Sequence, residues 1–349
     1  MTKTIYYLLL MYAVSLVTTG LFIVLYIPLP WILGPLVAVF LLNFMTKIDL
    51  EQNKTILNIS FLLTGAQIGS TFTSSTLEKV IPYFIPFLIV TLLLIAICVQ
   101  SGTLLAKYAN IEKTTGILGS VPGGLSVMVA MSDSMKANTG LVAIFHTIRL
   151  MAVLFIVPLL ASLFFTDNHS ELAIAPEPSS EFSGWTFLIY IFLFGLAFLL
   201  RFKIPASFVL VPMLIIAVIK LLSMPISDVP LSLYHFAQLS IGIHLGLSIR
   251  MADLKKAGNF SWIFFLFTCL IITISTGLGY LFAVFSEISF STAMLSLAPG
   301  GLVEMAITAG ETGADPAIVG SLQLVRMLFI ILLLPFILQK MYVQRTNEQ

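Results

Sequence analysis

Long apolar runs and short polar connectors alternate along the chain. The runs fall at about 5–25, 29–45, 56–73, 80–106 and 140–165, and again at about 184–200, 205–222, 232–249, 258–285 and 317–339. A membrane-spanning helix needs roughly 20 apolar residues, so each run predicts a span. One more apolar run lies between the fourth and fifth members of each set, at about 114–132 and 291–309. Each extra run is broken by a Pro-Gly-Gly sequence, Val121-Pro122-Gly123-Gly124-Leu125 in the first and Ala298-Pro299-Gly300-Gly301-Leu302 in the second. Only the stretch around 166–182 is polar enough to be a linker. Lys3 ahead of the first run resembles the start of a signal peptide. No small-x-small cleavage site follows, and the run has a counterpart in the second half, so it reads as a retained helix.

Composition agrees with this pattern. Of the 349 residues, 59% are hydrophobic and 9% charged, and the mean hydropathy is +1.07. Soluble domains carry about 25% charged residues, so a soluble enzyme is excluded. Seventeen basic against 16 acidic residues leave a formal charge of +1, which provides no field for nucleic acid. Cys98 and Cys269 both lie in apolar runs and imply neither a disulfide framework nor a thiolate metal site. The histidines at 146, 169, 235 and 244 lack the clustering of a copper or iron site. No Walker sequence or nucleophile elbow is present. The expectation is therefore no catalytic residue, no metal and no cofactor, with any transport driven by a Na⁺ or H⁺ gradient.

The chain contains an internal repeat. A shift of 177 residues aligns the halves without a gap. Pro28 falls on Pro205 and Pro35 on Pro212. Gly65 and Gly69 fall on Gly242 and Gly246. Pro122-Gly123-Gly124-Leu125 falls on Pro299-Gly300-Gly301-Leu302, Met128 on Met305, Arg149 on Arg326 and Pro158 on Pro335. The expected organisation is an N-terminal membrane repeat at 1–165, an external polar linker at 166–182 and a C-terminal membrane repeat at 183–349. Internal repeats of this kind mark secondary transporters.

Loop charge decides the orientation of the repeats, because cytoplasmic loops hold the excess of Lys and Arg. If each Pro-Gly-Gly run enters and returns, each half has five spans and the halves are inverted. Lys3, Lys47, Lys54, Lys107, Lys113, Lys136, Arg201, Lys203, Arg250, Lys255, Lys256, Lys340 and Arg345 then lie inside, and only Lys79 and Lys220 outside, a tally of 13 to 2. Six spans per half divide the same residues 8 to 7, which is no bias. The fold expected is all-α, with two inverted five-helix repeats, each carrying a re-entrant Pro-Gly-Gly hairpin or broken helix. Both termini lie in the cytoplasm, and the cell membrane is the expected location.

The hairpin arms are short. Thr114 to Val121 rises about 12 Å at 1.5 Å per residue, under half of a roughly 30 Å hydrocarbon core. Glycine permits positive φ and proline supplies no donor, so Pro-Gly-Gly suits a reversal. Alternatively, Pro-Gly-Gly kinks a spanning helix. Either way the breaks fall near the midplane, where transporters bind substrate. Gly123, Gly124, Gly300 and Gly301 are candidate substrate contacts. Arg149 and Arg326 sit about mid-span, where a charge costs about 2.5–3.5 kcal/mol on insertion scales and must face protein or a cavity. Guanidinium grips carboxylate in a fork, so these two arginines either bind an anionic substrate or tie down hairpin carbonyls. His146 and Gln323 lie three residues before them, on the same helix face, and either line a pathway or pack. Glu304, opposite Val127 in the first half, breaks the symmetry. It either binds a coupling ion or neutralises Arg326. Asp133, Glu311 and Asp315 fall where the hairpins end and read as solvated or helix-capping. Gly65-x-x-x-Gly69 and Gly242-x-x-x-Gly246 read as close helix contacts.

The Trp31-Ile32-Leu33-Gly34-Pro35 element, the first Pro-Gly-Gly run with His146-Thr147-Ile148-Arg149, and the stretch from Ala298 to Met305 resemble the AbrB-type membrane protein family, also labelled an ammonia monooxygenase. The resemblance covers essentially the whole chain. It implies a multi-spanning membrane protein linked to regulation of gene expression. The duplicated hairpin architecture is also similar to that of sodium-coupled glutamate and citrate carriers. The expected function is a secondary transporter of a small anionic metabolite working by alternating access. The alternatives are a membrane sensor that affects gene expression and, third, a membrane oxygenase. Expected partners are the small molecule and the lipid bilayer, with no nucleic acid and a homodimer left open.

Overall fold

A computed structural model describes residues 2–46, 51–164, 184–204, 206–224, 226–249, 258–286 and 288–346. The linker at 166–182, with Lys47, Pro205, Arg250, Lys255 and Lys256, lies outside them. Among the described residues there are 14 helices and no strand. The first seven are α1 (Thr2–Val24), α2 (Pro30–Thr46), α3 (Lys54–Ser70), α4 (Ser74–Tyr108), α5 (Lys113–Ser120), α6 (Leu125–Ser134) and α7 (Thr139–Phe164). The second seven are α8 (Gly184–Leu200), α9 (Ser207–Leu221), α10 (Leu231–Ser248), α11 (Asn259–Phe285), α12 (Phe290–Leu297), α13 (Leu302–Glu311) and α14 (Pro316–Thr346). The bounds of α12 and α13 lie 177 residues beyond those of α5 and α6, so the duplication extends to the helix ends.

Local chemistry sets several of these starts. Asn53 accepts the amide of Thr55 at 2.8 Å and caps α3. Ser289 accepts the amide of Thr292 and caps α12. Pro30 and Pro316 occupy first helical positions, where a missing donor costs nothing. Windows in α1, α4, α7, α11 and α14 are long and apolar enough to cross a membrane, and α2, α8 and α9 are shorter apolar helices. The chain is a multi-pass α-helical membrane protein.

The helices gather into two compact units, and neither is one half of the sequence. The first comprises Met1–Lys79, Pro158–Met251 and Ala306–Ala317, and the second Val80–Val157, Ala252–Met305 and Ile318–Gln349. The repeat boundary of the sequence is thus not a boundary of packing. Each unit takes equivalent helices from both repeats.

Glycine makes that pairing in the first unit. A Cβ on Gly65 of α3 would strike the carbonyl oxygen of Val209 in α9, and one on Gly242 of α10 that of Ile32 in α2. A Cβ on Gly69 would lie 2.5 Å from the Met213 oxygen, and one on Gly246 2.7 Å from the Leu36 oxygen. Ile32 and Val209 are themselves 177 apart, as are Leu36 and Met213. The contacts are therefore reciprocal, as at an isologous interface. In both pairs the numbering rises together, so α3 runs parallel to α9 and α2 to α10.

In the second unit the equivalent helices α4 and α11 lie side by side in opposite directions. Phe87 near the start of α4 meets Phe282 near the end of α11 edge-on, with ring centroids 5.8 Å apart. Leu105 near the end of α4 shares an apolar cluster with Phe264 near the start of α11. The first Pro-Gly-Gly segment also folds back on itself. The amide of Asn138, just past α6, donates to Thr115 Oγ1 in the first turn of α5 at 3.0 Å.

Candidate functional site

The breaks at Val121–Gly124 and Ala298–Gly301 lie in the second unit, each held by the helix that follows its hairpin. His146 Nε2 donates to the Leu118 carbonyl at 2.9 Å, and Gln323 Nε2 to the equivalent Leu295 carbonyl at 2.7 Å and to Ala298 O at 3.2 Å. Arg149 Nη1 donates to the Val121 carbonyl at 3.0 Å, and Arg326 Nη1 to the equivalent carbonyl of Ala298. The Leu118 and Leu295 carbonyls are freed because the residue four further on is a proline, Pro122 or Pro299, with no amide to donate. α5 and α12 end just before that proline. The i, i+3 spacing on α7 and α14 places the two donors over two carbonyls that are themselves three residues apart.

Equivalence ends at the rest of the guanidinium. Arg326 is 2% exposed. Its Nη1 also reaches Leu297 O at 3.2 Å, and its Nη2 donates to Gly300 O at 2.9 Å and to Gln323 Oε1. Only its Nε, buried, is without a partner. Arg149 is half-buried and makes the single bond to Val121. His146 donates through Nε2 because a carbonyl only accepts, which leaves Nδ1 an unprotonated acceptor, buried without a partner. The two guanidinium groups are near enough to feel each other, and the buried Cys98 of α4 feels both. The sequence offered no sign of that role for Cys98. Ser275 occupies its place in α11.

Gly123 and Gly124 differ in what they require. A Cβ on Gly123 would strike the Met128 side chain and come within 2.9 Å of Ile330. Gly124 has φ +82° with open space around its Cα, so it is backbone conformation that demands glycine there. Gly300 is crowded by Met305, and the Glu304 carboxylate folds back over Gly301. Glu304 is not among the acceptors of Arg326, so the ion pair between them that the sequence allowed is not formed. Asp133 is exposed, and Asp315 caps α14 through the Ala317 amide at 2.9 Å, both as expected. Glu311 departs from expectation. It is half-buried and accepts Gln238 Nε2 at 3.2 Å. Its counterpart at 134 is serine, the same asymmetry that singled out Glu304. No group of three metal-ligating side chains occurs among the described residues.

Two α-helix N-termini therefore begin at glycine-rich breaks inside a membrane protein, beside two arginines without carboxylate partners. These features define a duplicated, all-helical polytopic membrane protein with two broken helices. The chain belongs to the family described as transition state regulatory protein AbrB, which matches residues 3–342. An Escherichia coli (strain K12) protein named "Putative regulator AbrB" is 29% identical over 322 residues, covering 90% of this chain and 91% of that protein. The Bacillus subtilis (strain 168) protein YhjN is 23% identical over 331 residues, covering 88% and 86%.

Proposed function

We propose that the protein is a secondary transporter of a small anionic metabolite, driven by a Na⁺ or H⁺ gradient through alternating access. The observation that carries this reading is Arg149, half-buried mid-span with most of its donor fork unspent, beside the Gly123-Gly124 break. Polar groups inside a bilayer are expensive and mark substrate pathways. Helix N-termini at α6 and α13 add positive potential at the same breaks. In this reading the hairpins re-enter from opposite sides of the cell membrane, the termini are cytoplasmic, and Gly123, Gly124, Gly300 and Gly301 contact substrate. His146 and Gln323 set the break carbonyls, and Glu304, folded over Gly301, answers to the coupling ion. The protein takes part in no catalysis and needs no cofactor beyond that ion.

The antiparallel pairing of α4 with α11 supports the inverted topology, and the return of Asn138 to Thr115 supports re-entry. A second reading, a membrane sensor acting on gene expression, draws on the names of the family and of the Escherichia coli relative. The test is thermal melting of the purified protein against a panel of carboxylates and phosphate esters, with and without Na⁺. An anion that raises the melting temperature of the wild type but not of Arg149→Gln supports the proposal. A panel in which only neutral or cationic compounds stabilise refutes it.

A further inference from the structure

Glu311 closes α13, whose N-terminus is the Gly301 break. Ten residues of helix separate the two ends by about 15 Å. The carboxylate accepts Gln238 Nε2 from α10 at 3.2 Å and the backbone amide of Leu29, just before α2. Among the described residues no Lys or Arg pairs with it. Lys220 is paired with Asp228 instead, at 2.8 Å. The negative end of the α13 dipole adds to the carboxylate's charge.

Two further oxygens are present. Gln238, 1% exposed, has its amide against Glu311, and its Oε1 is buried without a partner. Tyr234, one turn earlier on the same face of α10 and 4% exposed, places its buried hydroxyl within hydrogen-bonding reach of the Gln238 side chain, which joins it to Glu311. A buried polar oxygen without a hydrogen bond, as Gln238 Oε1 is, is uncommon and calls for a ligand or a functional reason. A carboxylate there without a countercharge is costlier still. His235, the residue after Tyr234 on α10, stacks on Trp31, and Asp315, four residues past Glu311, caps α14 through the Ala317 amide.

We propose that Glu311, Gln238 and Tyr234 form a coupling-cation site, taking Na⁺ on hard oxygen ligands or a proton on the carboxylate. The three residues supply the oxygen set that a hard cation prefers. The first repeat has no such site, since Ser134, Phe61 and Leu57 stand at the equivalent positions. One helix thus carries an anion-attracting end at Gly301 and a cation-attracting end at Glu311. The word coupling rests on the transporter reading, but cation binding does not, so the test omits substrate.

The test is melting of the full-length protein in detergent. NaCl is titrated against choline chloride at fixed ionic strength, and the pH is then varied in choline chloride. A Na⁺ site gives a stabilisation by NaCl that Glu311→Gln abolishes and Tyr234→Phe shifts to several-fold higher concentration. A proton site gives no NaCl effect but a pH dependence of melting that Glu311→Gln removes and Tyr234→Phe displaces. Tyr234→Phe deletes one hydroxyl from a packed ring, so it carries the test if Glu311→Gln fails to fold. Responses to NaCl and pH that match the wild type in the folded variants, or a wild type that responds to neither, overturn the proposal. Absence of flux with these responses intact would sink the transporter reading alone.

Discussion

Arg149 and Arg326 hold equivalent positions 177 residues apart, yet Arg326 commits both terminal nitrogens to its own hairpin while Arg149 commits one. The duplication supplied two identical clamps, and one has kept most of its hydrogen-bonding capacity. Hydrogen bonds to charged groups contribute about 1.5–3 kcal/mol each, so the two arginines should fail differently. Arg326→Lys keeps the charge but loses the fork. We expect it to destabilise the protein by about 2–4 kcal/mol, given the bonds lost. Arg149→Lys should cost under about 1.5 kcal/mol, the lower bound for one such bond, while weakening anion binding at least tenfold. Melting and ligand titration of the two variants side by side check this. Equal losses of stability would show that Arg149 is a structural clamp as well.

The tips make a second contrast. Gly301 is the tighter position, but what crowds it is the far end of the Glu304 side chain, which can swing away. Gly124 has room but a φ of +82°. With ψ at 134° Gly124 lies outside the left-handed helical well, so Gly124→Ala should cost about 1–3 kcal/mol, the penalty for a sparsely populated backbone region, and Gly301→Ala less. Thermal melts that rank them the other way would show that crowding, and not backbone conformation, governs the tips.

Both tips were legible in the sequence because proline and glycine at a constant offset survive divergence. So were the close helix approaches, since Gly65-x-x-x-Gly69 has no other use in an apolar helix. The partners of those glycines were not legible, because Val209 and Ile32 are ordinary apolar residues and only the fold brings their carbonyls to a glycine. The same holds for Glu311. Its place at the end of a hairpin reads as solvent, and only the packing of α10 makes it half-buried. The Glu304–Arg326 pair was a fair expectation from proximity to the break. The carbonyls at that break satisfied the guanidinium instead.

The reciprocal glycine contacts predict equal effects in the two repeats. Gly242→Ala places a methyl against the Ile32 carbonyl, and Gly65→Ala does the same at Val209. Overpacking of this kind costs about 1–3 kcal/mol, and the two losses should agree within about 0.5 kcal/mol, the usual scatter for independent sites. Gly195→Ala, with nothing within 4 Å of its added methyl, should be neutral or slightly stabilising. Melting of all three variants tests whether the repeats share one interface geometry.

The orientation is open to chemical labelling. With Cys98 and Cys269 replaced, Ser179→Cys should react with an impermeant maleimide added outside intact cells. Lys136→Cys, just past the first hairpin and exposed at the end of α6 or beyond, should react only after permeabilisation. Outside labelling at 136 would mean that the first hairpin enters from the other face.

The proposed transport of an anion through these tips, driven by an ion gradient, is open to direct measurement. The most direct measurement is uptake of the anion identified by melting into proteoliposomes under an imposed Na⁺ or pH gradient, for the wild type and for Gly301→Leu. We expect the wild type to accumulate it above equilibrium and to lose accumulation when the gradient is collapsed. Gly301→Leu should reconstitute and melt cooperatively but show no uptake. Gradient-independent uptake, or undiminished uptake by Gly301→Leu, would contradict the account.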